Sequence, residues 1–153
     1  IYIVGFRSSS FLAGYLNFYF RMIFDNVVLV NGGAAGTFDQ LFRVGPGDVV
    51  VAICFPRYSE LAIKTVQYAK DRGAAIVGVT DSEMSPVYQL ASGSLLVRNE
   101  MISFVDSLAA PMSILNALIL AAASKEETDI SETFGELEHV WDRFGIFGKV
   151  EDE

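Results

Sequence analysis

The run Val49-Val50-Val51-Ala52-Ile53-Cys54 is apolar at every position, and it belongs to a series. Short apolar runs of similar kind occupy residues 1–5, 26–30, 75–80 and 94–97. A strand with one face in water alternates apolar and polar residues, whereas a strand apolar throughout is covered on both faces. Between the runs the period changes to that of a helix. Residues 58–72 place Leu61, Ala62, Thr65, Val66 and Ala69 on one side and Glu60, Lys64, Lys70 and Asp71 on the other. Strands buried twice and alternating with helices require a parallel sheet, because each parallel connection has to cross over the sheet. We therefore expect an α/β domain of three layers, doubly wound and flavodoxin-like, with five parallel strands in the order 2-1-3-4-5.

Local punctuation divides the rest. Helices are expected over 11–24, 37–43, 58–72, 86–91, 106–125 and 130–144. Gly45-Pro46-Gly47-Asp48 is a turn before the third strand, Gly73 stops the third helix, and Ser85-Pro86 offers an N-cap with proline at the first helical position. The helix at 11–24 is apolar nearly all round, so it has to be covered on more than one side. Asp129 and Glu132 have capping-box spacing for the last helix, and an acidic, frayed tail follows it at 149–153. At 153 residues the chain is one domain. We assign 1–128 to its body and 129–153 to a C-terminal helix and tail that pack on the same domain or at a dimer contact. The chain opens on Ile1 already inside a strand, so we expect a preceding segment in the full-length protein.

Composition removes several functions. The net charge is −8, from 19 acidic and 11 basic residues. With no lysine or arginine run, direct contact with nucleic acid is a poor fit, since neutralised phosphates supply most of that affinity. Cys54 is the single cysteine and His139 the single histidine. An internal disulfide is thus excluded and no zinc ligand set is available, which fits a cytoplasmic protein without a metal or cofactor. Residues 107–123 are too short and too interrupted for a membrane span and read as a buried helix. Apolar residues make up 52 % of the chain, among them 12 phenylalanines. That exceeds what one small monomer readily hides and points to a homo-oligomer, dimer or tetramer.

The chemistry lies in two loops, each running from an apolar strand into a helix: Gly5-Phe6-Arg7-Ser8-Ser9-Ser10 and Cys54-Phe55-Pro56-Arg57-Tyr58-Ser59. The first amides of a helix carry partial positive charge and lack internal partners. A guanidinium and hydroxyls beside them make an anion site. In the order 2-1-3-4-5 the loops after strands one and three flank the point where the chain reverses direction, and ligands bind there. Arg7, Ser8, Ser9, Arg57 and Ser59 are therefore the candidate anion contacts. Thr80 and Ser82, with Asp81 between them, follow the fourth strand on the same edge and are candidates for sugar hydroxyls. Cys54 reads as a small buried hydrophobe and His139 as a surface residue, which leaves Glu100 as the only candidate general base. The glycines at 32, 33 and 36 follow the second strand with the wrong spacing for a dinucleotide fingerprint, and no Walker lysine is present.

Three stretches resemble a known family, the sugar isomerase (SIS) domain, and within it the effector-binding domain of RpiR-type transcriptional regulators. They are IYIVGFRSSS, GDVVVAICFPRYSELAIKTVQYAKDRGAAIVGVTDSEMSP and FVDSLAAPMSILNALILAA. The resemblance implies a module that binds a phosphorylated sugar or amino sugar, with Ser9 and its neighbour Ser8 at the ligand. The family's second loop usually reads Ser-x-Ser-Gly-x-Thr. Here Cys54 and Pro56 stand at the serine positions, Arg57 replaces the glycine, and Ser59 keeps a hydroxyl at the threonine position. Arg7 also stands where glycine is usual. The resemblance further implies a DNA-binding domain ahead of this one and a sensing rather than catalytic role. The alternative is a sugar-phosphate aldose–ketose isomerase.

Overall fold

The computed structural model describes residues 1–99, 101–102, 104–125 and 130–147. Among them, seven strands and six helices follow one another as β1 (Tyr2–Gly5), α1 (Ser9–Ile23), β2 (Val28–Val30), α2 (Ala34–Leu41), β3 (Val49–Ile53), α3 (Glu60–Asp71), β4 (Ala75–Thr80), α4 (Pro86–Leu90), β5 (Gly93–Leu96), β6 (Met101–Ile102), β7 (Val105–Asp106), α5 (Ala109–Ala123) and α6 (Ile130–Phe144). The first five strands form one sheet in the order β2-β1-β3-β4-β5. All four pairings are parallel. This is the expected topology.

Alternate residues of each strand go to opposite faces, which builds two cores. Val4, Val50 and Ala52 meet Leu41 of α2, Ala62 and Val66 of α3, and Val87 of α4. Ile3, Val51 and Ile53 meet Leu12, Leu16 and Phe20 of α1 and Leu115 of α5. Helices on both faces explain why β3 is apolar at every position. The covering of α1 is incomplete. Phe11 and Phe18 remain 73 % and 56 % exposed on its outer side.

Gly73 ends α3 as expected. It sits at φ +89°, with its amide on the Lys70 carbonyl and the next amide, of Ala74, on the Ala69 carbonyl. That is the left-handed helix end that glycine adopts at least cost. One expectation fails. Asp106 does not open the long helix; with Val105 it forms β7, paired antiparallel with β6 in a small hairpin outside the main sheet. The helix begins at Ala109. No helix among the described residues is long and apolar enough to cross a membrane. Glu100, the capping residue Asp129 and the tail at 149–153 lie outside the described residues.

Candidate ligand-binding site

The carboxyl ends of β1 and β3 lie side by side, with Gly5 opposite Ile53. Both arginine loops therefore leave the same rim of the sheet. They converge on a small inner cavity of about 30 Å³ lined by Arg7, Ser8, Ser9, Cys54, Arg57, Ser59 and Asp106, among others. A wider cleft of about 470 Å³ opens beside it, lined by Arg7, Arg57, Tyr58, Ser59, Glu60 and Leu61. The inner space holds about one water, while the outer one falls within the range of small-molecule sites.

Both arginines have left-handed backbones, at φ +56° for Arg7 and +59° for Arg57. Such positions favour glycine, and an arginine there carries strain on the order of 1 kcal/mol. In the first loop the Ser10 hydroxyl donates to the Arg7 carbonyl at 2.6 Å and helps hold the turn. Neither guanidinium forms an ion pair among the described residues, where Lys64–Glu60 is the only pair.

The two helix starts differ. Ahead of α1 the chain winds tightly, and the amides of Ser9, Ser10 and Phe11 donate to the carbonyls of Phe6, Arg7 and Ser8. Ser8 adds no side-chain cap; its hydroxyl instead donates to Oδ2 of Asp106 at 2.7 Å. Of the three serines, Ser9 alone lines the cavity with a hydroxyl that no described residue engages. Ahead of α3, Ser59 is a true N-cap, its Oγ accepting from the Ala62 amide at 3.4 Å. Accepting there leaves its own proton available to a guest. Among the described residues nothing accepts from the amides of Glu60 and Leu61. The anion site drawn from sequence for both loops thus has its open amides at the second.

Thr80 and Ser82 do not join these residues. Thr80 is fully buried, and its hydroxyl donates to the Cys54 carbonyl at 2.7 Å and shares a 2.7 Å hydrogen bond with Ser85. It fastens β4 to the base of the second loop, where a partner offsets the cost of burying a hydroxyl. Ser82 is partly exposed and lines neither cavity. Asp81 holds the second loop from outside by accepting from the Tyr58 hydroxyl at 2.9 Å. Burial, then the hydrogen bond to Asp81, pushes the Tyr58 hydroxyl above its usual range, so it keeps the proton it donates. Cys54 is buried, and burial pushes its thiol up. It remains a neutral core residue. His139 is exposed on α6, and no three potential metal ligands cluster among the described residues.

A family model, the SIS domain, matches residues 1–121. The chain belongs to that family. Comparison with curated proteins gives no match. Among solved structures, the sugar isomerase domain of an RpiR transcription factor from Sphaerobacter thermophilus superposes with a TM-score of 0.83 at 20 % identity, over 90 % of this chain and 77 % of that one. Vibrio vulnificus NanR complexed with ManNAc-6P gives 0.78 at 15 % identity, over 97 % of this chain and 56 % of that one. Glucosamine-6-phosphate deaminase from Thermotoga maritima gives 0.64 at 19 % identity, over 92 % of this chain and 45 % of that one. This SIS domain therefore spans a little over half of the NanR chain and under half of the deaminase. At these identities the likeness is one of fold.

Asp106 is the site residue that sequence reading missed. Its stretch reads as the start of a helix, and two-residue strands carry no periodicity that would reveal the hairpin instead. Its partner Ser8 is 98 positions away.

Proposed function

We propose that this SIS domain is the phosphosugar-sensing domain of a cytoplasmic transcriptional regulator of sugar metabolism. One observation carries the reading: two guanidiniums, unpaired among the described residues, line a cleft into which the open amides of α3 and the Ser59 hydroxyl also lead. Charge-assisted hydrogen bonds contribute on the order of 1.5–3 kcal/mol each. Two or three, after ordering and desolvation are offset, suffice for micromolar binding of a phosphate monoester. Arg57, Ser59 and Arg7 take the phosphate, with Ser9 beneath. The fold likeness to an RpiR transcription factor and to NanR supports the regulatory role. The ligand named for NanR and the amino-sugar phosphate in the deaminase's name support the substrate class.

In this mechanism a homodimer has two arrangements, and the guest binds one of them more tightly. The exposed Phe11 and Phe18 on α1 support the dimer. A DNA-binding domain ahead of residue 1 reads the arrangement. The competing reading, an aldose–ketose isomerase, draws on Asp106, a carboxylate in the cavity wall able to serve as a base.

A thermal-shift panel of phosphorylated sugars and amino sugars tests the proposal. A ligand at about 100 times its dissociation constant stabilises the fold by about 2.7 kcal/mol. No shift with any member, inorganic phosphate included, overturns it. Sustained interconversion of an aldose and ketose phosphate moves the assignment to the isomerase.

A further inference from the structure

Anion binding does not account for Asp106. A carboxylate repels a phosphate, yet the β6–β7 hairpin brings one into the wall of the inner cavity beside Arg7 and Arg57. If its purpose were to hold the hairpin in place, pairing with a guanidinium of the same wall would serve best. No such ion pair forms among the described residues. Asp106 is held by a neutral donor instead, the Ser8 hydroxyl, and only through Oδ2. None of the described residues donates to Oδ1. The wall thus carries both signs of charge without letting them neutralise one another.

We propose that Asp106 is a specificity-determining residue, accepting hydrogen bonds from hydroxyl or ammonium groups on the sugar end of the ligand and rejecting a second anionic group. Ser8 is its positioning residue. The inference rests on the phosphosugar reading above, and it narrows the ligand class. A monophosphate with free hydroxyls or an amine satisfies both parts of the wall. A bisphosphate or a phosphorylated sugar acid sets a negative group against Asp106. Like-charge contact of this kind is a standard route to discrimination, because the wrong partner is penalised rather than the right one favoured.

Calorimetric titration of the whole chain separates this inference from its parent. The probes are inorganic phosphate, fructose 6-phosphate, glucosamine 6-phosphate and fructose 1,6-bisphosphate. The wild type should bind at least one monophosphate about tenfold more tightly than inorganic phosphate and than the bisphosphate, the size of one charge-assisted contact. Asp106→Asn keeps an oxygen for Ser8 and removes the charge. It should lose most of that preference, bind inorganic phosphate no more weakly than the wild type, and bring the bisphosphate within about threefold of the monophosphate. Ser8→Ala should produce the same pattern more weakly, since it frees the carboxylate to turn. If Asp106→Asn leaves the ranking unchanged, or if no sugar monophosphate outranks inorganic phosphate, the inference falls while the anion site stands. If inorganic phosphate and every sugar phosphate fail to bind the wild type, the parent reading falls with it.

Discussion

The loops after β1 and β3 begin from adjacent strands, place an arginine in the same left-handed conformation, and end in helices. They differ in length. Residues 6–8 make the first passage and residues 54–59 the second. Three residues bring α1 down onto the end of its own strand: a Cβ on Gly5 would lie 2.6 Å from the Ser9 carbonyl oxygen and 2.9 Å from the Ala13 Cβ. The same tightness folds the first amides of α1 back onto the loop carbonyls. Six residues hold α3 further off, so β3 runs to its end without a glycine and α3 keeps open amides. A short passage therefore spends the first amides of its helix on closing itself, and a long one leaves them open. The shared motif of arginine and serines hides this division of labour.

The strongest way to break the comparison is Gly5→Ala. It should cost on the order of 3 kcal/mol in urea unfolding, at the upper end for overpacking, because the new methyl meets backbone rather than a movable side chain. A cost below about 1 kcal/mol would mean that the first passage is not tight. Next comes affinity for inorganic phosphate, measured by calorimetry. Arg57→Ala should lose about 30-fold, roughly 2 kcal/mol, and Arg7→Ala clearly less, because open helix amides accompany only Arg57. Equal losses would return the anion to the midpoint between the loops.

The caps differ by a smaller amount. Ser59→Ala should lower unfolding free energy by about 1 kcal/mol through its lost N-cap. Ser8→Ala, which caps nothing, should cost about half as much in the same measurement. The smallest effect has the opposite sign. Arg7→Gly and Arg57→Gly each exchange left-handed strain for the greater chain entropy of glycine, and should leave stability unchanged or raised by about 0.5 kcal/mol. Arg57→Gly should still lose phosphate affinity as Arg57→Ala does. A glycine variant that unfolds well before the wild type would show that the guanidinium supports the fold.

What could be read in advance follows from the range of the forces involved. Val49–Ile53, the Gly73 stop and the Ser85-Pro86 helix start are decided by neighbours within a few residues, and they stand as expected. The strand order is the doubly wound one expected of five parallel strands alternating with helices, a rule about connections rather than about any side chain. Of the candidate site, the arginines and Ser8, Ser9 and Ser59 are the residues named from sequence that line the inner cavity. Thr80 was misplaced because its hydroxyl answers the Cys54 carbonyl at the base of the second loop, which the spacing around residue 80 does not record. The folding back of the first amides of α1 was hidden for a related reason: it depends on how close Gly5 lets the helix come.

The hairpin that holds Asp106 pairs only with itself and contributes no strand to the main sheet. Substitutions there leave the hydrogen-bond ladder of the main sheet untouched. On the specificity role proposed for Asp106, descendants of such a chain would change the ligand they accept by revising a few codons near position 106, while inheriting the scaffold intact.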